Sequence, residues 1–297
     1  GDAIPTVLTM TVVPILGAGS SMADYRIGFK WWALIIAVVF VISELVCVAC
    51  VPERPVACDE KPGKISDMFK ALFKNDQAMT VVVSIILVYT SLNICGNLVL
   101  YFFRFDVGND GAYSIFAAVA FAAQVLVMMV IPLLRKRFSK SQLFISGFII
   151  QIAGFAVILI MAFAKLYTPQ SWYILCLPGI LIYLGYGMLN VIMTIFLSDS
   201  VDYGEVMNGT REESVIFSMQ TFTVKLASGV AVFLAGLVVD LIHLDTAAAV
   251  QTQDTLDALR MWMTIPSVIL LIVGIFIFKR FYKLDDTRME EIKSKLN

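Results

Sequence analysis

Long apolar runs alternate with short charged links along the chain. Eight such runs can be marked, each of about 20 to 26 residues, which is the length that a helix needs to cross a bilayer. A lone segment in lipid must satisfy its own backbone hydrogen bonds, so helices are expected. The pattern therefore predicts an all-α membrane protein. The predicted spans are roughly Ile4–Ala23, Trp31–Val51, Met79–Phe103, Tyr113–Leu134, Leu143–Ala164, Trp172–Leu197, Ser214–Val239 and Leu259–Phe278.

The longest break in hydrophobicity, residues 52–75, separates the first two runs from the last six. It opens with a proline-rich stretch and continues with apolar residues on one helical face and lysines around the other. This spacing predicts a short amphipathic helix. Two placements stay open, either flat on the inner membrane surface or packed on the bundle as a cytosolic linker. The apolar face consists of Ile65, Met68, Phe69, Leu72 and Phe73.

The composition agrees with a membrane protein. Hydrophobic residues make up 59% of the chain and charged residues 15%, and the mean hydropathy is +0.85. A soluble domain carries about 25% charged residues. Cys47 and Cys50 have redox-pair spacing, but they lie in an apolar run and are interpreted as small apolar residues. With His243 as the single histidine, most histidine-based metal and nucleophile sites are excluded.

Lysine and arginine are unequally distributed between alternate links. When the links are assigned in turn to the two sides of a bilayer, one side carries 16 of these residues and the other 5. Cytoplasmic loops are enriched in lysine and arginine, so the richer side is predicted to be cytoplasmic. The C-terminus belongs to that side, and eight spans place the N-terminus there as well.

One cation lies within an apolar run. Lys225 is the eleventh residue of the 25-residue run Val215–Val239, which places it near the membrane midplane. A cation at that depth costs from about 3 kcal/mol upward. Either interface is more than ten residues away, so the side chain cannot easily extend to water. This position favours a functional role over a purely structural pairing.

Polar residues recur at helical spacing in three of the runs. Their hydroxyl, amide and aromatic groups suit a sugar, and three such stripes at membrane depth can line one aqueous cavity. In the third and sixth runs, contacts that only hold helices together explain the pattern equally well. The stripes are Thr90, Asn93, Asn97 and Tyr101; Tyr183, Tyr186, Asn190 and Thr194; and Ser214, Ser218, Thr221, Lys225 and Ser228, with Gln220 beside the last.

The predicted link 199–213 is acidic although it lies on the basic side. Asp199 and Asp202 follow the C-terminal end of the sixth run, where the helix dipole disfavours anions. They therefore need a cation, and Arg211 is the nearest in sequence. The link is either a charged latch that opens and closes with the bundle or a solvated acidic loop.

Three stretches resemble a known family, and they follow one another in a fixed order. They are Asp199-Ser-Val-Asp-Tyr-Gly-Glu205, Arg211-Glu-Glu-Ser214 and Ser218-Met-Gln-Thr-Phe-Thr-Val-Lys225. The pattern resembles the glycoside–pentoside–hexuronide:cation symporters, a melibiose permease-like family of the major facilitator superfamily. Its twelve helices form two halves joined by a cytoplasmic loop. The layout of this chain is similar to helices five to twelve, so the first four helices are expected before Gly1.

The resemblance implies roles for individual residues. Four positions match the family's sugar and cation site, and four match its cytoplasmic charge network. Asn190 departs from the pattern, because it falls where a sugar-contacting tryptophan is expected, so the substrate need not be a galactoside. The first set is Gln220, Thr221, Val224 and Lys225, joined as substrate-binding candidates by Asn190, Tyr186, Asn93 and Asn97. The second set is Asp199, Asp202, Glu205 and Arg211.

The resemblance also implies an architecture and a mechanism. Residues 1–51 would be the last two helices of the first half, 52–75 the cytoplasmic middle loop, 76–281 the second six-helix half and 282–297 a cytoplasmic tail. The expected function is sugar symport with Na⁺ or H⁺ by alternating access. The acids that bind the cation belong to the preceding helices, so no metal site is expected here. A carrier of lysolipid or another amphiphile is the alternative, and a membrane enzyme is a third, disfavoured hypothesis.

The remaining expectations concern surroundings. We expect a monomer in the inner (plasma) membrane that crosses the bilayer several times, with a cytoplasmic C-terminus. Its partners are a small sugar and the bilayer, and no nucleic acid is expected. No cofactor is expected besides the coupling cation.

Overall fold

The computed structural model describes residues 12–17, 22–50, 73–209, 213–246, 248 and 250–296. The chain divides into two compact units, Gly1–Gly63 and Lys64–Asn297. This division falls inside the predicted middle loop. Most of the predicted amphipathic helix, like the first predicted span, lies outside the described residues.

The first unit contains helix α1, Met22–Cys50. From residue 26 onward its residues are almost all exposed, including many large apolar ones such as Val39, Phe40 and Val48. A short helical stretch, residues 12–17, contacts α1, because a side chain at Gly28 would lie 2.1 Å from the carbonyl oxygen of Val13. An exposed apolar helix of this length is suited to a lipid surrounding.

The second unit is helical throughout its described part. Its helices run alternately from one end of the bundle to the other. They are α2 (Asp76–Tyr101), continued by a π-helix (Phe102–Val107), α3 (Asp110–Leu134), α4 (Lys140–Phe163), a 3₁₀-helix (Trp172–Leu175), α5 (Cys176–Asn208), α6 (Glu213–Leu241), α7 (Gln253–Phe281) and α8 (Asp286–Leu296). We call the end that carries residues 135–140, 199–209 and 282–296 the basic end.

Seven described helices are long and apolar enough to cross a membrane. They correspond to the second to eighth predicted runs, and the predicted all-α membrane fold is confirmed. Helix α5 is longer than predicted, because no residue interrupts it between Leu197 and Asn208. It ends only at Gly209, whose φ of +71° is a left-handed conformation that glycine adopts without strain. Asp199, Asp202 and Glu205 therefore lie on a helix, whereas the sequence predicted that they lie in a loop.

Helix α2 is the centre of the second unit. It packs against α5, α6 and α7, and α5 in turn packs between α3 and α4. Phenylalanine rings fill the interior, among them Phe144, Phe148 and Phe196, all fully buried. The ring of Phe144 lies 4.9 Å from that of Phe148 and 5.1 Å from that of Phe196, both edge to face.

Two amide side chains connect helix ends at the basic end. Asn75 caps α2 by accepting from the backbone N–H of Ala78 at 2.9 Å, and its Nδ2 donates to the carbonyl of Ser200 on α5 at 2.8 Å. Gln77 accepts from the backbone N–H of Lys283 at 2.8 Å and donates to the carbonyl of Phe281 at 3.3 Å. The start of α2 is thereby joined to the last turns of α5 and α7.

Glycines allow α4 and α5 to approach each other closely. A Cβ atom at Gly185 would lie 2.6 Å from the backbone nitrogen of Gln151 and from the carbonyl oxygen of Gly147. A Cβ at Gly154 would lie 2.7 Å from the backbone nitrogen of Ile182. Small residues permit such backbone contacts between membrane helices, which gain stability from van der Waals packing.

We predict that Gly185→Ala destabilises the protein, because its new methyl group meets backbone atoms that cannot yield without separating α4 from α5. The expected loss is about 1–3 kcal/mol of unfolding free energy. The measurement is thermal unfolding of the purified full-length protein in detergent. Gly96→Ala on α2 is the control, since a Cβ there meets nothing within 4 Å; it should be neutral or slightly stabilising. Equal melting temperatures for the two variants would contradict the prediction.

Candidate functional site

A chain of polar contacts connects α2, α5 and α6 at membrane depth. The amide Nδ2 of Asn190 donates to the hydroxyl oxygen of Tyr89 at 2.5 Å. The Thr194 hydroxyl donates to the carbonyl of Asn190 at 3.1 Å, and Gln220 Nε2 donates to the Thr194 hydroxyl oxygen at 3.4 Å. Each of the three helices thus contributes at least one side chain to the same polar region.

Aromatic rings lie behind this chain. The rings of Tyr186 and Tyr89 meet edge to face with centroids 5.5 Å apart, and Tyr183 lies 6.5 Å from Tyr186. Tyr186 is buried, whereas Tyr89 and Tyr183 are half-buried. Tyr186 therefore supports the region from behind, while Tyr89 presents its hydroxyl group at its edge.

Tyr89 was not among the residues that the sequence analysis selected. The spacing in the third run predicts a stripe of Thr90, Asn93, Asn97 and Tyr101, but Thr90 is buried. Tyr89 is four residues before Asn93, and this i, i+4 spacing was available in the sequence. Tyr89 is not part of the predicted stripe because the adjacent Thr90 is a more typical polar residue of a membrane helix.

The two asparagines of α2 bond mainly to their own helix. Asn93 Nδ2 donates to the carbonyl of Tyr89, and Asn97 Nδ2 donates to the carbonyl of Asn93, both at 2.7 Å. These bonds leave each Oδ1 atom available as an acceptor. Asn97 lies eight residues beyond Tyr89, about 12 Å along the helix axis, so it is separated from the Tyr89 contacts.

Helix α6 has three distinct faces. Its buried face packs on α2 through small residues such as Thr223, Ala227 and Ala231. A second face is exposed and apolar. The third face is exposed and polar and carries Thr221 and Lys225. The apolar face includes Phe222, Leu226, Phe233 and Leu237.

The predicted site residues of α6 are distributed over these faces. Lys225 is exposed and has no salt-bridge partner within the described part of the chain. The Thr221 hydroxyl donates to the carbonyl of Phe217 at 3.3 Å, and Val224 is half-buried against the core. Of the predicted set, Gln220 is therefore the residue by which α6 joins the contacts around Asn190.

An ionic cluster lies at the basic end. Lys140, at the start of α4, forms a buried salt bridge with Asp199 of α5, and its Nζ also lies 3.5 Å from Asp286. Arg135 contacts Asp286 at 3.4 Å. Within the described residues, the cation that accompanies Asp199 is thus Lys140. Asp286 connects α8 to the same cluster.

The other predicted members of the charge network have different positions. Asp202 and Glu205 are half-buried on the last turns of α5, and Arg211 lies outside the described residues. The ring of Tyr282 packs on Phe196 with centroids 4.4 Å apart. Burial and the nearby carboxylates of Asp199 and Asp286 raise the pKa of Tyr282, so its hydroxyl stays protonated at neutral pH.

A second ionic cluster occupies the opposite end. Arg260 of α7 forms a two-pronged bond with Asp106 of the π-helix, at 2.8 Å from Nε and 2.5 Å from a terminal nitrogen. The Tyr167 hydroxyl donates to the same carboxylate at 2.7 Å, and Arg260 also contacts Asp257 at 2.7 Å. Burial and the adjacent Asp106 charge raise the pKa of Tyr167. The sequence does not predict this cluster, because Arg260 falls at the edge of an apolar run, where a charged residue is expected to face water.

These features describe a helical protein with seven membrane-length helices among its described residues and a group of polar side chains that joins three of them. The family model described as MFS/sugar transport protein matches residues 1–286. The chain therefore belongs to this family, which agrees with the resemblance to glycoside–pentoside–hexuronide symporters.

Curated relatives are similar over nearly all of this chain. The uncharacterized symporter YjmB of Bacillus subtilis is 24% identical over 98% of the chain and 61% of its own length. The raffinose carrier protein of Pediococcus pentosaceus is 23% identical over 100% and 46%, and the isoprimeverose transporter of Lactiplantibacillus pentosus 26% over 96% and 58%. The chain thus spans about half to three-fifths of the length of these relatives.

We predict that Lys140→Ala strongly destabilises the protein, because it leaves the buried Asp199 carboxylate without its cation. Breaking a buried ion pair on one side costs about 3–5 kcal/mol. Arg135→Ala is the control: its 3.4 Å contact is partly exposed and should contribute less than about 1 kcal/mol. Chemical unfolding of the full-length protein measures both, and the double variant Lys140→Met, Asp199→Leu should recover much of the loss. A mild effect of Lys140→Ala would show that Asp199 is satisfied otherwise.

Proposed function

We propose that the protein is a sugar:cation symporter that works by alternating access, and that the polar face of α6 lines its substrate pathway. The observation that carries the proposal is the exposed position of Lys225. The residue is twelve positions from the start of α6 at Glu213, about 18 Å along the helix axis. A cation at this depth requires water or a polar partner, and the polar face is separate from the apolar one that suits lipid.

The side chains around this face suit a sugar. Gln220 and Thr221 offer an amide and a hydroxyl group that bond sugar hydroxyls, and Val224 offers an apolar contact. Across from them, Asn190 and Tyr89 add an amide and a phenol, with Tyr186 packed behind. Ligand sites in membrane transporters commonly lie near the midplane, where such groups converge. Asn93 lies one helical turn from Tyr89, so its Oδ1 atom can accept a further hydrogen bond from a sugar hydroxyl group.

The coupled ion, Na⁺ or H⁺, is a second substrate in this proposal. Among the described residues, no three His, Cys, Asp or Glu side chains lie together as a metal ligand set. The resemblance implies carboxylates on helices that precede this sequence. Lys225 would pair with one of these carboxylates while the coupling cation is absent, and the pair would separate when the cation binds to that carboxylate.

The ionic cluster around Lys140 is suited to a gate at the basic end. We infer that this end faces the cytoplasm, because lysine and arginine collect there, and that the membrane is the plasma membrane. The cluster connects α3, α4, α5 and α8 through few charged groups. Breaking it would loosen the end of the pathway without altering the midplane.

The named relatives favour transport over catalysis and sugars over amphiphiles. By name they are a symporter, a carrier and a transporter, and two of those names specify a sugar. We therefore do not retain the lysolipid carrier or the membrane enzyme. The proposed protein works as a monomer in the bilayer, with no resident cofactor.

We predict that Lys225→Ala in the full-length protein abolishes cation-coupled uptake, because the coupling carboxylates lose their internal counter-charge. Uptake of labelled raffinose, isoprimeverose and lactose is measured in cells with imposed Na⁺ or pH gradients, and membrane content by immunoblotting. Lys293→Ala, an exposed lysine on α8, is the control and should transport normally. Wild-type uptake by the Lys225 variant would remove the proposed role.

We predict that Tyr89→Phe weakens sugar binding. The change removes the hydroxyl group to which Asn190 donates, so the amide loses the bond that orients it toward α2. The concentration for half-maximal uptake should rise about tenfold, the effect of one lost hydrogen bond to a polar ligand. Tyr173→Phe, on an exposed ring in the 3₁₀-helix, is the matched control. Unchanged kinetics in the Tyr89 variant would place the sugar elsewhere.

A further inference from the structure

A second polar cavity lies between α2 and α6, toward the end opposite the basic end. Its volume is about 370 Å³, and polar groups from both helices line it. Asn97 and Tyr101 come from α2, and Asp240 comes from the last turn of α6, with Gly236 beside it. A cavity of this size is in the range of small-molecule sites.

The cavity is distinct from the region around Lys225. Asp240 is fifteen residues beyond Lys225, about 22 Å along α6, and Tyr101 is twelve beyond Tyr89, about 18 Å along α2. Asn97 was grouped with the midplane candidates from its sequence spacing, but the structure places it in the wall of this second cavity.

The polar groups of the cavity have unused bonding capacity. Within the described residues, no hydrogen bond or ion pair is found for the Asp240 carboxylate or the Tyr101 hydroxyl group. Asn97 uses its Nδ2 on its own helix and retains Oδ1. Asp240 also lies at the C-terminal end of α6, where the helix dipole disfavours an anion. A carboxylate at the end of a helix, without a cation beside it, is suited to accept hydrogen bonds from a bound ligand.

The backbone around the cavity leaves space for a ligand. A Cβ atom at Gly236, which lines the cavity, would meet nothing within 4 Å. Glycine is a poor helix former, so its presence here is not explained by helix stability. It is also not explained by close packing, unlike Gly185 in the contact between α4 and α5.

We propose that this cavity is a second sugar-binding subsite, which a neutral sugar occupies on its way between the outer solution and the Lys225 region. The inference rests on the proposed transport function. The Asp240 carboxylate accepts two sugar hydroxyl groups, Asn97 accepts a third, and Tyr101 donates or accepts. The same carboxylate repels an acidic sugar, so the subsite selects neutral sugars over uronates.

The first test is Asp240→Asn in the full-length protein. For whichever of labelled raffinose, isoprimeverose and lactose the protein transports, the half-saturating concentration should rise about tenfold while the maximal rate changes little. Asp254→Asn, an exposed acidic residue near the start of α7, is the control for a general loss of surface charge. Equal kinetics in Asp240→Asn and wild type, or the same change in both variants, would overturn the subsite.

A second measurement examines the charge selection. Labelled glucuronate and its neutral counterpart glucose compete against the transported sugar in wild type and in Asp240→Asn. Removing the carboxylate should increase inhibition by glucuronate relative to glucose, and Asp254→Asn should leave their ratio unchanged. A ratio that stays constant in all three proteins would contradict the role of Asp240.

A third measurement separates failure of the subsite from failure of the transport proposal. Gly236→Cys is labelled with a membrane-impermeant thiol reagent, and protection by unlabelled raffinose, isoprimeverose and lactose is compared with the unsubstituted protein. Protection supports the subsite even if no uptake is detected. If the protein takes up sugar but sugar does not protect Gly236→Cys, and Asp240→Asn has wild-type kinetics, the subsite is ruled out and the transport proposal stands. If neither uptake nor protection is detected, both the subsite and the transport proposal are ruled out.

Discussion

A polar group at membrane depth must be satisfied by water or by the protein, and this constraint organises the bundle around α2 and α6. Helix α6 meets it by separating its exposed residues into an apolar face and a polar face, with Lys225 on the polar one. The side chains of Asn190, Tyr89, Thr194 and Gln220 meet it by bonding to one another or to backbone carbonyls. The exposed Lys225 and Thr221 lie beside these contacts on the polar face of α6.

The two ends of the bundle are held by different chemistry. At the basic end, one buried lysine is shared between two carboxylates, and an arginine contacts the second of them. At the opposite end, Arg260 and Asp106 form a single two-pronged pair with a tyrosine hydroxyl group added. At the basic end Lys140 contacts a second carboxylate besides Asp199, whereas Arg260 at the opposite end forms two parallel bonds with one carboxylate. The two ends therefore share their charges differently, although breaking the buried Lys140–Asp199 pair is also costly.

The sequence was sufficient to predict the helices, because span length and hydropathy depend on local composition. It also placed Lys225 and Gln220 near one another, since both lie on one helix. It was insufficient for contacts between helices: Tyr89 with Asn190, and Lys140 with Asp199, are 101 and 59 residues apart. The end of α5 was misjudged because charged residues were taken to end a span, whereas a helix continues until its backbone is interrupted, here at Gly209. Spacing along one helix also does not give depth relative to another, so the sequence could not show that Asn97 lines the cavity beside Asp240.

The surface on which α6 rests has a mechanical consequence. Its buried face has Thr223 and three alanines in the middle, which project little from the helix, and the larger Ile216, Met219 and Val238 toward its two ends. Large interlocking side chains resist lengthwise sliding of one helix on another, because each must leave the groove between its partner's side chains before it can move. The middle of this face, where the side chains are short, interlocks less with α2 than its two ends do, and α6 has few other contacts within the described bundle. A small lengthwise displacement of α6, the helix that carries Lys225, would therefore disturb few interlocked side chains in its middle part.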